Sequence, residues 1–211
     1  MKMHRLFAVK GIHYVVSRFG PRKWRSLAFD GKYIDGIWRH YDEGASELAD
    51  ICRRYMGYGD ILIMGCGGAS ILEDLLHEGL KSALGIDISK EAIRLASRFE
   101  CERVSFQLTD MLTFDSTHSY DIILFSESLN YVPGSQVESY LNRLAGYLKP
   151  GGVFVVTFAQ PRRYKNILGK IRHKFAILED HAFPCSDRHL IVFNLQETAG
   201  KNNCPANVRN K

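Results

Sequence analysis

The chain has 211 residues, 45% of them hydrophobic and 24% charged, with a formal net charge of +5. That length suits one domain with a substantial core, and the composition is that of an ordinary folded chain rather than a disordered one. No apolar run approaches the roughly 20 residues that cross a bilayer.

The five cysteines, Cys52, Cys66, Cys101, Cys185 and Cys204, are odd in number and form no C-x-x-C pair. This fits a reduced, cytoplasmic protein and argues against a disulfide framework or a zinc site. No signal peptide is expected. Lys10, His13 and Arg18 break the basic N-terminus, and no small-residue cleavage site follows. Charge is unevenly placed: no acid precedes Asp30, whereas Lys2, Arg5, Lys10, Arg18, Arg22, Lys23 and Arg25 do. A second basic stretch holds Arg162, Arg163, Lys165, Lys170, Arg172 and Lys174. Such segments either attract anions, including phosphates and anionic lipid, or are simply solvated faces.

In chain order, residues 1–42 read as a basic arm outside the main alternation. Phe7, Ala8, Ile12, Val15, Val16 and Phe19 fall loosely on one helical face, which Gly20-Pro21 ends. The aromatic and glycine-rich stretch 29–38 follows. A helix is expected over 43–56, with Leu48, Ile51, Cys52 and Tyr55 on one face. Gly57-Tyr58-Gly59 stops it.

Asp60-Ile61-Leu62-Ile63-Met64 then runs straight into Gly65-Cys66-Gly67-Gly68-Ala69-Ser70. The apolar run reads as a strand buried on both faces. The glycines permit a sharp turn and a close approach of bare backbone to a ligand. A helix over 71–78, ended by Gly79, aims its N-terminus at the same spot. Strand, glycine loop and helix make the nucleotide-binding corner of an open α/β sheet.

Further strands are expected at 83–87, 104–108, 121–125 and 153–158. Helices are expected at 90–98, capped by Ser89, and at 133–148. Lys149-Pro150-Gly151-Gly152 reads as a tight turn. Segments 175–178 and 190–193 suit a closing antiparallel pair, and 197–211 reads as a flexible tail. Strands alternating with helices imply a mostly parallel sheet covered on both faces.

The run Gly65-Cys66-Gly67-Gly68-Ala69, with the Lys149–Gly152 turn at its distance, resembles the class I S-adenosylmethionine-dependent methyltransferases of the small-molecule type. A dinucleotide fingerprint counted from Gly65 requires glycine at position 70, where Ser70 stands. The resemblance covers roughly 43–158 and departs from the family pattern twice. Ile63 replaces an acid, and Ala69 replaces the last glycine.

It implies an α/β, Rossmann-like methyltransferase fold: a seven-stranded, mostly parallel sheet with an antiparallel closing strand, in a domain over 43–196. It also implies S-adenosyl-L-methionine as cofactor, leaving as S-adenosyl-L-homocysteine. The cofactor would rest on Gly65, Cys66, Gly67, Gly68 and Ala69, with Asp87 at the ribose and Ile88 against the purine. Asp110 would accept from the adenine amino group, followed by Met111, and Ser126 would close the site. The segment before the first core helix would act as a lid.

Methyl transfer is an in-line displacement, so alignment and water exclusion dominate. Glu127 and Tyr131, after the fourth strand, are the candidates to position the acceptor or take its proton. His40 and His118 are further options. Glu127 alternatively holds the cofactor's methionine amine in place of the acid missing at Ile63. No metal is expected.

The acceptor is read as a small molecule, sugar or lipid-linked intermediate, which the basic segments would suit if it is anionic or held at a membrane surface. Alternatives are a non-catalytic cofactor-binding protein and an RNA methyltransferase, though no RNA-binding module is visible. A short-chain reductase is excluded, because no Tyr-x-x-x-Lys pair exists.

Overall fold

The apolar runs bounded by glycine become strands β1 (Gly59–Met64), β2 (Leu80–Asp87), β3 (Val104–Leu108), β4 (Tyr120–Ser126) and β5 (Leu148–Ala159). Two more, β6 (Phe175–Ala182) and β7 (Arg188–Leu195), complete one sheet in the order β3-β2-β1-β4-β5-β7-β6. The first five strands pair in parallel, and β7 runs antiparallel to both β5 and β6. This computed structural model describes residues 15–17, 19–35, 45–183 and 187–195.

Period-2 alternation divides the sheet residues between two cores. On one face Ile61, Ile63, Ile122, Leu124, Val153 and Val155 meet helices α2 (Ala45–Met56) and α3 (Ile71–Leu75), together with Ala96 from α4 (Lys90–Ala96). On the other face Leu62, Met64, Ile123, Phe125, Phe154 and Val156 meet α5 (Val137–Ala145) and α6 (Lys165–Lys174). Every residue of β1 is buried, as a central strand covered on both sides requires. Helix α1 (Arg22–Ile34) precedes α2 in the chain.

Several elements differ from the sequence expectation. The helix expected to 78 stops at Leu75, because β2 starts three residues early: Leu80 pairs with Gly59 and is buried. Gly79, at φ +84°, makes the turn between them. The helix expected over 133–148 covers only Val137–Ala145. Before it, Gln136 N bonds Pro133 O at 2.8 Å in a turn, and after it Leu148 already pairs with Tyr120.

Lys149–Gly152 is therefore no free turn but an irregularity inside β5. Tyr120 faces Leu148 and Ile122 faces Val153, so the four residues bulge opposite Asp121. The basic stretch 165–174 forms α6, with Ile167, Leu168 and Ile171 buried beneath its charges. Ser89 caps α4 as expected, its Oγ accepting from Ala92 N at 3.2 Å. Residues 1–14, 36–44 and 196–211 hold the rest of the arm, His40 and the expected tail; they lie outside the described residues.

Candidate functional site

The strand order reverses between β1 and β4, and a cavity of about 420 Å³ opens at the C-terminal ends of β1, β2 and β4. Open α/β sheets bind ligands at such a switch point. Its floor is the loop after β1. Cys66 N bonds Ile86 O at 2.9 Å, tying the loop to β2. Ser128 Oγ bonds Met64 O at 2.5 Å, tying it to the segment after β4.

Gly65 and Gly67 sit at φ +70° and +56°. A Cβ on Gly65 would lie 2.8 Å from Ser128 Cβ, and one on Gly67 would lie 2.9 Å from Tyr33 Oη. Glycine is thus favoured at both positions by backbone, and at Gly65 by space as well. With only five residues, α3 brings little dipole; bare loop N–H groups and nearby carboxylates define the site.

Asp87, the last residue of β2, accepts from Gly67 N at 3.0 Å through Oδ2 and from Ser89 N at 2.8 Å through Oδ1. Burial pushes its carboxyl up to about 6, against the backbone N–H groups of Ser89, Gly67 and Ile88, which favour the anion, while Asp30 pushes it further up. Among the described residues no cation bonds it; only neutral N–H groups hold it. Its free lone pairs suit a ligand's hydroxyl groups.

Burial and then Asp87 hold the Cys66 thiol well above its usual range, so it fits here as a small, inert residue. The Tyr33 hydroxyl is likewise pushed up, first by burial and then by Asp87, Cys66 and Tyr131.

The structure brings every expected cofactor position, Gly65–Ala69, Asp87, Ile88, Asp110, Met111 and Ser126, to the wall of this one cavity, with Glu127 and Tyr131 beside them. Asp110 is paired with Arg25 of α1 and accepts from Leu112 N at 3.1 Å. Glu127 accepts from Ala159 N through Oε2 and from Arg188 Nε at 3.2 Å through Oε1. Those bonds link the end of β4 to β5 and β7. Tyr131 meets Phe29 of α1 edge-on, ring centroids 4.9 Å apart.

His118 is not part of the site. It lies just before β4, where its N–H bonds Ser116 Oγ, at the opposite end of the strand from the cavity. Ile63, where the family carries an acid, is only 2% exposed and packs into the core.

Sequence reasoning named the stretch from Phe29 as a lid segment but missed Arg25 and one flank. Arg25, Phe29 and Tyr33, spaced i, i+4 and i+8 on α1, all line the cavity. That spacing was the available signal. Gln160, Arg163 and Tyr164 line the flank after β5, and Asn130 Nδ2 bonds Tyr164 Oη at 3.2 Å. Among the described residues the only non-glycine residues at positive φ are Ala69, Glu127 and Gln160, and all three line this cavity. Strain of that kind collects where a ligand is held. No described cluster of three His, Cys, Asp or Glu could hold a metal ion, and no described helix is long and apolar enough to cross a membrane.

Comparison with known proteins agrees with this geometry. A family profile described as a methyltransferase domain matches residues 61–152. A ubiquinone biosynthesis O-methyltransferase of Rickettsia felis is 25% identical over 121 residues, covering 56% of this chain and 48% of that protein. The chain spans about half the length of the curated relatives it matches.

In fold it resembles the N-methyltransferase NodS of Bradyrhizobium japonicum, solved with S-adenosyl-L-homocysteine: TM-score 0.62, 22% identity, 82% of this chain and 96% of that one. It also resembles a 1,6-didemethyltoxoflavin N1-methyltransferase of Burkholderia thailandensis, solved with its acceptor and S-adenosylhomocysteine: TM-score 0.63, 20% identity, 80% and 86% covered.

Proposed function

We propose that the chain is a class I S-adenosylmethionine-dependent methyltransferase and that it transfers a methyl group to a small-molecule acceptor bearing a negative charge. One observation carries the reading. A buried aspartate at the end of β2, held among the described residues by neutral N–H groups alone, faces a loop that Gly65 and Gly67 turn through positive φ. A ribose diol meets the unfilled lone pairs of Asp87, the bare loop admits the amino-acid portion, and the cavity suits a nucleoside of this size.

When bound, S-adenosylmethionine supplies an electrophilic methyl group on a positive sulfur. The chain's own residues do the remainder. Asp87 would hold the ribose and Asp110 the adenine amino group, while Ile88 would pack on the purine. Phe29 and Tyr33 on α1 form a roof that excludes water.

Tyr131 and Glu127 stand at the end of β4 and orient the acceptor. Glu127, whose oxygens accept from Ala159 N and Arg188 Nε and each keep a second lone pair, is the group that would take the acceptor's proton, while the Tyr131 hydroxyl would position the acceptor. Arg163 lines the mouth, and Arg162 and Lys165 are its exposed neighbours in the chain. That cationic flank favours a phosphate or carboxylate on the acceptor.

Calorimetry with S-adenosylhomocysteine tests the reading. Micromolar binding at one site per chain is expected. No heat at millimolar ligand sinks it and leaves a chain that keeps the fold without the cofactor.

A further inference from the structure

One ion pair in the cavity wall joins segments far apart in the chain. Arg25 stands on α1 and Asp110 follows β3, 85 residues later. Arg25 Nη2 pairs with Asp110 Oδ2, and Nη1 reaches Oδ1 at 3.4 Å. Leu112 N donates to the same Oδ1 at 3.1 Å. The side chains are 13% and 3% exposed, and both residues line the cavity. A carboxylate offers about four lone-pair sites. Three are taken here, and one on Oδ2 remains for a further donor.

We propose that Arg25 determines the base specificity of the nucleoside site: its charged fork occupies Asp110 and leaves it a single acceptor lone pair for the base, so the site takes a 6-amino purine and refuses a 6-oxo purine. The proposal rests on the cofactor reading above. Without that cation and its two bonds nothing holds the Asp110 carboxyl in one orientation, and the contact no longer selects between the two bases. Arginine does not lose its proton in water's working range, and its planar fork spans both carboxylate oxygens.

With Arg25 in place, an amino group at C6 donates to the last lone pair on Oδ2. A carbonyl at C6 would instead turn its lone pairs toward a buried negative charge, a mismatch that polar sites reject strongly. Helix α1 is also anchored without Arg25. Asp30 accepts from Ser89 Oγ at 2.6 Å and from Glu91 N at 3.3 Å, and Phe29 packs on Tyr131. Removing the guanidinium therefore leaves the helix docked.

The test is calorimetry of the full chain with two probes, S-adenosylhomocysteine and S-inosylhomocysteine. Wild type is expected to prefer the adenosyl compound by roughly 100-fold or more. In Arg25→Met the preference falls to within about tenfold, and Arg25→Lys, which keeps the charge, restores most of it. If Arg25→Met does not fold, Arg25→Gln takes its place with the same expectation. A variant that binds both probes more weakly yet keeps the wild-type ratio overturns the proposal, since Arg25 would then only pack the roof. Binding of neither probe to wild type overturns the cofactor reading itself, and this inference with it.

Discussion

The two ends of the parallel sheet treat charge and backbone strain in opposite ways. At the N-terminal end, Asp60 accepts from Ser82 Oγ at 2.7 Å and pairs with Lys149 at 2.5 Å and Lys81 at 3.4 Å, while Lys149 also reaches Asp121 at 2.7 Å. At the C-terminal end Asp110 and Glu127 meet Arg25 and Arg188, but Asp87, among the described residues, has only neutral donors.

Backbone conformation follows the same division. Near the N-terminal end the left-handed positions Gly57, Gly79 and Gly151 are all glycine. Around the cavity, three of the five are Ala69, Glu127 and Gln160. One end is built so that its charges are answered from within. The other holds an unanswered carboxylate and unrelieved strain, features that persist where a ligand completes the interaction.

The sharpest way to break this contrast is Asp87→Asn. S-adenosylhomocysteine affinity is expected to fall roughly 100-fold, because hydrogen bonds to a charged acceptor are each worth about 1.5–3 kcal/mol. Stability should move the other way with pH. The folded-state value of Asp87 is raised to about 6 from an ordinary 3.8. Between those values the folded chain keeps a proton that the unfolded chain has released, so this group's contribution to stability declines as pH rises. Above pH 6 the loss is roughly 3 kcal/mol.

The asparagine variant lacks that dependence. Its urea-unfolding stability, relative to wild type, should climb by up to that amount between pH 4 and 7. A pH-independent offset remains, because the amide has one oxygen where the carboxylate uses Oδ2 for Gly67 N and Oδ1 for Ser89 N. Parallel pH–stability curves for the two proteins would show that Asp87 is not strained by burial.

Lys149→Met attacks the other end and should give the converse result. It leaves Asp60 and Asp121 sharing a half-buried site without their common cation, at a cost of about 2 kcal/mol in urea unfolding. Asp60 is held below its ordinary range: burial opposes this, but the bonds from Lys149 and Ser82 and the charges of Lys149 and Lys81 prevail. Its contribution to stability is therefore present above its unfolded value and lost as pH falls through the folded one, so the variant's deficit should shrink below about pH 4. S-adenosylhomocysteine affinity should stay within twofold of wild type, since Lys149 lies at the far end of the strands. A large loss of affinity would mean that the two ends are coupled.

What the sequence disclosed follows the same line between local and distant. The β1–glycine loop–α3 corner and the strand-end carboxylates Asp87 and Asp110 were legible because each depends on neighbours within a few residues. The Lys149-Pro150-Gly151-Gly152 motif was recognised but read as a free turn. Its place inside β5 is set by Asp60 and Asp121, residues from two other strands.

Helix α6 was hidden because its five basic or histidine residues outnumber the buried Ile167, Leu168 and Ile171. Arg25 and Arg188 were invisible as site residues for a plainer reason. Nothing near either in sequence points to Asp110 or Glu127, and only the closed tertiary structure brings them together. His118 misled as a loop histidine near a strand of the right number but at its wrong end.

The smallest effects probe strain alone, in a matched pair. Gly151 sits at φ +80° with nothing within 4 Å of an added Cβ, so Gly151→Ala tests backbone conformation and no packing. A left-handed non-glycine residue costs roughly 1–2 kcal/mol, and alanine recovers about 0.4–1 kcal/mol from the stiffer unfolded chain, leaving a loss near 0.5–1 kcal/mol. Gln160, at φ +54°, is exposed and its side chain sets no core contact. Gln160→Gly reverses both contributions and should stabilise the chain by about 0.5 kcal/mol, with the backbone bond from Gln160 N to Asp187 O retained. Opposite signs in urea melts would place removable strain at the cavity end and none at the other. If both substitutions destabilise, Gln160 is at ease in its conformation, and the cavity rim holds strain only at Ala69 and Glu127.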